Sequence, residues 1–324
     1  MEKWIDFTDA EPGYRDYGGS DTKISILYKG EHYMLKFPEE QVKTMSLQTS
    51  EANNVFSEYI GSHIIATLGL PVHETLLGIY KDEPVVACKD FVPDGYRLQE
   101  FEWFSRNMFR KSELGRTPTY EQLYKTFENP LLQPIKEQGI QRYWDTFVAD
   151  ALLGNFDRHR GNWGYLVNET TKDIQLAPIY DCGSSLYPGL SEIGFKRILK
   201  SQEEIEKRIY EFPKAALNKT NDIKHTEKFG YYELLSSNID NNCISALKKI
   251  TPKIDFQKID SVIDNAPMIT DIRKNFYKEM IRYRKELILD KALELHKEQS
   301  LDEILGELEP VGFSKGKRLD DLER

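Results

Sequence analysis

Residues 153–167 read LGNFDRHRGNWGYLV. One aspartate, three basic side chains and an asparagine stand between two apolar runs. Upstream, RYWDTFVADALLG carries Trp144, Phe147, Val148, Ala151 and Leu152 on one stripe, the periodicity of an amphipathic helix. Downstream, NWGYLV and IQLAPI are two short β-rich runs, and a second acid, Asp181 in IYDCG, follows them. Asp157, Asn162 and Asp181 thus sit at two loop ends around a strand pair.

Phosphoryl transfer needs a base to orient an attacking hydroxyl and hard oxygen ligands to hold Mg²⁺ against nucleotide phosphates. An Asp with an Asn five positions later, then a D-x-G, is the spacing by which kinases meet that need. Each piece alone is common, because D-x-G is also a turn. A kinase further requires a strand lysine to hold the phosphates, a helix glutamate to position it and a glycine-bearing loop ahead of both. Lys36 ends the strand-like HYMLK, Glu58 lies in the helical NNVFSEYIGSHIIATLG, and Gly18, Gly19 and Ser20 precede the first strand. Five elements in the right chain order point to ATP and Mg²⁺ chemistry.

Composition excludes several other classes. The 324 residues carry a formal charge of -9, so the chain repels a phosphate backbone and is not expected to bind nucleic acid. The 40% hydrophobic and 12% aromatic content is enough for a packed interior. No run approaches the length of a membrane span, and MEKWIDFTDAEPGYRDYGG lacks a secretory pattern, which makes a cytoplasmic protein the expectation. Cys88, Cys182 and Cys243 are too scattered for a zinc or disulfide framework and read as incidental free thiols.

Along the chain, KISILYKGEHYMLKF predicts a hairpin turning at Lys29, Gly30 and Glu31. A helix stopping at Gly69 follows, then two strands in ETLLGIYKDEPVVACKDF with a turn at Lys81 to Pro84. Residues 1–90 therefore form a β-rich lobe with one helix. Residues 91–310 form a mostly helical lobe, with helices expected around 98–111 and 119–137, and 311–324 form a flexible tail. The fold class is α+β, two-lobed. Trp163 and Tyr165 read as strand packing, and His159 as a structural histidine that orients the loop. Arg158 and Arg160 either bind phosphate oxygens or brace Asp157.

The segments YGGSDTKISILY, YMLKFP, FSEYIGSHI, VVACKDF, FVADALLGNFDRHRGNWG and LAPIYDCGSSLYP together resemble the HipA-like serine/threonine kinases, in a compact form. The resemblance covers roughly residues 13–200, and IDSVIDNAPMI is also similar. It implies a two-lobed kinase fold in which Asp157 is the catalytic base, Asn162 and Asp181 are Mg²⁺ ligands, and Lys36, paired with Glu58, grips the phosphates. Gly18, Gly19 and Ser20 would form the phosphate loop, and Lys89 and Phe91 the hinge whose backbone binds adenine. The extra N-terminal subdomain of the HipA toxin has no counterpart here, so a HipB-type antitoxin partner is left open.

The expected activity is ATP- and Mg²⁺-dependent phosphorylation of a protein serine or threonine, with autophosphorylation at Ser20 or Thr22. Two other readings use the same residues. The DRHxxN loop is similar to that of phosphoinositide kinases, for which Lys196, Arg197 and Lys200 in FKRILK offer a basic patch, although a solvated helix face explains that patch as well. A nucleotide-binding pseudokinase would have no need of Lys36, Asp157, Asn162 and Asp181 together.

Overall fold

The computed structural model describes residues 5–15, 17, 23–38, 54–220 and 226–307; Gly18, Gly19, Ser20, Thr22 and the expected tail at 311–324 lie outside the described residues. The small lobe is built on a six-stranded sheet. In chain order its strands are β1 (Ile5–Asp6), β2 (Glu11–Pro12), β3 (Lys23–Tyr28), β4 (Glu31–Lys36), β5 (Thr75–Tyr80) and β6 (Glu83–Lys89). Their spatial order is β1-β5-β6-β4-β3-β2. Both expected hairpins form. Lys29 and Gly30 turn the first at φ 51° and 81°, and Lys81 and Asp82 the second at φ 50° and 68°. Two successive positive φ values are what a two-residue turn needs to match the twist of its strands.

The period of two then decides which way Lys36 points. Tyr33, Leu35, Val85 and Ala87 pack with Phe7 and Ile26 on one face of the sheet. The alternate residues Met34, Val86 and Cys88 face the other way and join the main core. Lys36 is in phase with Met34, opposite Val86 in the register, and so projects toward the core-facing side. Helix α1 (Asn54–Thr67) lies there, against β5 and β6. Its Val55, Ile60, Ile64 and Ile65 are all fully buried, and Gly69 at φ 74° follows its end.

The larger lobe is helical around a three-stranded sheet, β7 (Tyr96–Glu100), β8 (Gly164–Asn168) and β9 (Ile174–Leu176). Its helices are α2 (Phe101–Met108), α3 (Tyr120–Phe127), α4 (Lys136–Leu153), α5 (Glu192–Leu199), α6 (Gln202–Glu206), α7 (Tyr231–Leu235), α8 (Asn241–Ile250), α9 (Phe256–Asn265), α10 (Asp271–Arg284) and α11 (Lys291–Glu307). Two expectations need correction. The helix expected from residue 98 starts at Phe101, because Tyr96–Glu100 pairs in full register with β8 and that pairing overrides local preference. The helix expected over 119–137 ends at Phe127, where Asn129 and Pro130 start a 3₁₀ stretch through Ile135. Helix α1 also packs on α9, so one core runs through both lobes. No helix among the described residues is long and apolar enough to cross a membrane.

Strand β1 sits unusually close to β5. A Cβ on Gly78 would lie 2.2 Å from the Ile5 carbonyl oxygen and 2.7 Å from the Phe7 ring. Gly78→Ala is therefore expected to force β1 off the sheet edge and lower stability by roughly 1–3 kcal/mol, the usual cost of overpacking. Urea denaturation checks this, and an unchanged midpoint would mean that β1 shifts without cost.

Candidate active site

Lys36, at the end of β4, reaches two acids. Its Nζ lies 3.1 Å from Glu58 Oε2 and 3.0 Å from Asp181 Oδ1. Burial alone would push the ammonium pKa down, but Asp181 and Glu58 hold it well above the ordinary lysine value. Glu58, on α1, is itself buried, and its other oxygen is also taken. Oε1 accepts the Cys182 backbone N–H at 2.9 Å and lies 2.9 Å from His73 Nε2. Burial favours the neutral acid here, yet Lys36, His73 and the Cys182 amide overcome it and keep Glu58 far below the usual carboxylate range.

Asp181 adopts φ 60°, a left-handed conformation uncommon for a residue with a side chain. Small residues around this turn bring α1 close to it. A Cβ on Gly183 would come within 3.3 Å of Glu58 Oε2, and one on Gly61 within 3.1 Å of Cys182 Cβ, so α1 lies directly against the D-C-G turn. Asp181 keeps 36% of its side-chain surface exposed.

Asp157 and Asn162 occupy the loop after α4, whose Gly154 ends the helix at φ 68°. The Asn162 side-chain amide donates to the Asp157 carbonyl at 2.8 Å. The loop is held from beneath by a buried ion pair: Arg158 donates to Asp150 of α4 at 2.9 and 3.1 Å, and also to the carbonyls of Asn162 and Tyr180. Asn155 donates to Asp150 at 3.0 Å and accepts the Asp157 N–H at 3.1 Å. Arg158 therefore ties the Asp157 loop to the chain just before Asp181.

Burial raises the Asp157 carboxyl above its ordinary pKa, and nearby Asp181 adds to this, while His159 and Arg116 counter it. Arg116 donates to Asp157 Oδ2 at 2.9 Å from an exposed position. His159 is held below its ordinary pKa chiefly by burial, and its Nδ1 accepts the Gly161 N–H at 3.0 Å, which fits the orienting role expected for it.

Arg158 and Arg160 are buried, and neither reaches the Asp157 carboxylate: Arg158 serves Asp150, and Arg160 bonds the Gly115 carbonyl and Gln122. Trp163 stacks on Phe101 at 3.9 Å and Tyr165 meets Phe104 edge-on at 5.3 Å, so both are packing residues. Lys196, Arg197 and Lys200 lie on the exposed side of α5, whose Phe195 and Ile198 are buried. Lys89 uses its N–H on the Glu74 carbonyl, and its side chain sits near Glu31 and Glu74. Phe91 stacks with Tyr180 at 5.5 Å, next to Asp181. The glycine loop lies outside the described residues, but its flanks converge on the site. Tyr17 donates to Asp90 at 3.2 Å, and Lys23 pairs with Lys36 across β3 and β4.

Sequence reasoning missed His73, Asp150 and Arg116. Asp150 left one trace, as an acid inside the apolar stripe FVADALLG. Glu58, His73 and Cys88 also bring their donor atoms within 4.8 Å of one another. With Lys36 on the same carboxylate and burial pushing the Cys88 thiol far up, the cluster is an ion-pair centre rather than a cation site. Asp181 and Asn162 suit a hard cation better, since both offer side-chain oxygens and Asn162 commits only its amide nitrogen to the protein among the described residues.

Residues 16–229 match the family model of the HipA-like C-terminal domain. The chain belongs to that family and is an enzyme of the kinase class. It is 41% identical over 292 residues to the serine/threonine-protein kinase CtkA of Helicobacter pylori, covering 89% of this chain and 87% of that protein. The crystal structure of the proinflammatory kinase CtkA from the same organism superposes with a TM-score of 0.84 at 39% identity, over 92% of this chain and 99% of that one. HipA of Shewanella oneidensis, solved with HipB and operator DNA, has a TM-score of 0.52 at 17% identity, covers 89% of this chain and 68% of its own, and shares the fold. The two-lobed kinase fold expected from the sequence is the fold observed.

The Arg116–Asp157 pair carries a pH consequence. Arg116 holds the Asp157 pKa down, so Arg116→Gln lets it rise, and the ionised carboxylate then requires a higher pH. The acid limb of kcat/KM should move to higher pH, and only modestly, because the partner is exposed. A limb that stays in place or moves down would detach Arg116 from the Asp157 carboxylate.

Proposed function

We propose that this chain is an ATP- and Mg²⁺-dependent serine/threonine protein kinase that transfers the γ-phosphoryl group to a protein hydroxyl. The observation that carries this reading is the three-way junction of Lys36, Glu58 and Asp181, with the Asp157–Asn162 loop braced against the same D-C-G turn. Lys36 grips the nucleotide phosphates, and Glu58 keeps its ammonium aimed. Asp157 accepts the proton of the attacking hydroxyl, a role suited to a carboxylate whose pKa is raised by burial. Mg²⁺, held by Asp181 and Asn162, supplies charge neutralisation on the phosphates. The adenine is bound at the hinge, where Lys89 and Asp90 already use their N–H groups on Glu74 and His32 carbonyls, which leaves the Phe91 N–H as the backbone donor. Gly18, Gly19 and Ser20 cover the phosphates, and Ser20 or Thr22 is an autophosphorylation site whose added charge competes with nucleotide.

Purified protein incubated with labelled ATP, Mg²⁺ and protein, peptide and phosphoinositide acceptors tests the reading, with mass spectrometry locating any label within residues 18–23. Asp157→Ala should lose at least about 10²-fold in transfer while nucleotide affinity changes little, because the base acts on the acceptor. Asp181→Ala should weaken Mg²⁺-dependent ATP binding as well as turnover, and Lys36→Met should lower turnover to a similar extent. Label on the lipid alone would replace the protein acceptor with a headgroup. Wild-type turnover retained in Asp157→Ala would remove that residue from the base role.

A further inference from the structure

Glu58 has a second partner that the kinase reading does not require. His73 lies between α1 and β5, buried, with Nε2 2.9 Å from Glu58 Oε1 and 3.1 Å from Ser62 Oγ. The hydrogen-bond network assigns the proton on this ring. Glu58 is ionised, since Lys36 sits on its other oxygen, and a carboxylate oxygen at 2.9 Å cannot face a bare imidazole lone pair without repulsion. Nε2 therefore carries the hydrogen, donates it to Glu58, and shares it with the Ser62 oxygen.

The backbone of His73 is tied to the opposite side of the site. Its N–H donates to the Ile179 carbonyl at 2.9 Å, and Val72 bridges Ile179 in parallel, two residues before Asp181. The imidazole also meets the Phe91 ring edge-on at 6.4 Å, and Phe91 stacks on Tyr180. One residue thus contacts both the carboxylate beside Lys36 and the segment that leads into Asp181.

We propose that His73 is the positioning residue of the Lys36–Glu58 pair, setting the orientation of the Glu58 carboxylate and, through Ile179, its registration with Asp181. Ser62 and the Cys182 amide complete the cradle, but Ser62 bonds the imidazole rather than the carboxylate, and the Cys182 N–H belongs to the D-C-G turn. Without the imidazole, Glu58 Oε1 keeps a single donor, and its carboxylate turns away from Lys36.

This inference rests on the kinase reading, so the test combines turnover with a measurement that needs none. In wild type, His73→Leu, His73→Gln, Glu58→Ala and the His73→Leu/Glu58→Ala double variant, kcat and KM for ATP are measured. The rate at which an amine-reactive ester modifies Lys36 is followed in parallel by mass spectrometry. His73→Leu should lower kcat by about ten- to hundredfold, the range typical when an outer partner that orients a functional group is lost. It should also speed Lys36 modification. His73→Gln, whose amide nitrogen stands at the position of Nε2, should recover most of both properties. In the Glu58→Ala background His73→Leu should add almost nothing, because the interaction it serves is already gone. An equal loss in both backgrounds, or a glutamine variant no better than leucine, would overturn the proposal and leave His73 a packing residue. If the leucine variant does not fold, His73→Asn replaces it. Its shorter amide does not reach Glu58, so asparagine should fail where glutamine succeeds, and the reverse order would sink the idea. A wild-type protein that transfers no phosphate, yet shows the expected pattern of Lys36 modification, would refute the kinase reading and not the role of His73.

Discussion

The buried carboxylate of Glu58 is the constraint around which the rest of the molecule is arranged. Removing an ionised acid from water costs several kcal/mol unless its lone pairs are met by charge and hydrogen bonds. Three groups meet them here: the Lys36 ammonium from β4, the His73 imidazole from the turn before β5, and the Cys182 amide from the D-C-G turn. They arrive from the sheet, from the lobe junction and from the helical lobe. Because none can leave without stranding the charge, α1, the sheet and the turn carrying Asp181 are fixed to one another.

A second buried charge repeats the arrangement on the other side of Cys182. The Arg158 guanidinium is neutralised by Asp150 and satisfied by the Asn162 and Tyr180 carbonyls, with the Cys182 sulfur 3.7 Å away. Cys182 therefore stands between the two clusters, its amide on Glu58 and its thiol beside Arg158. Burial pushes that thiol up to about 12, so it stays protonated and serves as a small neutral filler rather than a nucleophile. A larger residue would press on Gly61 of α1, where only 3.1 Å separates a virtual Cβ from Cys182.

What the sequence made legible followed from local rules. Lys29-Gly30 and the Lys81 turn announce hairpins through their backbone chemistry, and α1 shows itself by apolar spacing and by Gly69. Lys36, Glu58, Asp157, Asn162 and Asp181 stood out because kinase chemistry imposes an order and a spacing on them, and the fold gathers Lys36, Glu58 and Asp181 within hydrogen-bond reach. Leu98–Glu100 reads as the start of a helix in the sequence because its strand character comes from pairing with β8, 64 to 68 residues away. His73 and Arg116 were silent for the same reason. A histidine in LPVHET and an arginine in LGRTPT have no pattern of their own, and each meets a partner that only tertiary structure supplies.

The two halves of the site differ in how firmly they are built. Around Lys36, the proposed phosphate grip, the lysine retains 14% of its side-chain surface and Glu58 only 2%, and both are held in ion pairs. Charge fixed in this way costs no reorganisation when a phosphate arrives, which is the condition for strong electrostatic stabilisation of developing charge. Around Asp157, the proposed base, the backbone is held by Asn155 and Asn162, but the carboxylate meets Arg116, whose side chain is 68% exposed. A solvent-facing arginine exchanges partners at small cost. In the proposed kinase the rigid cradle would receive ATP, the component common to every turnover, and the adjustable contact would face the component that varies, the hydroxyl-bearing substrate.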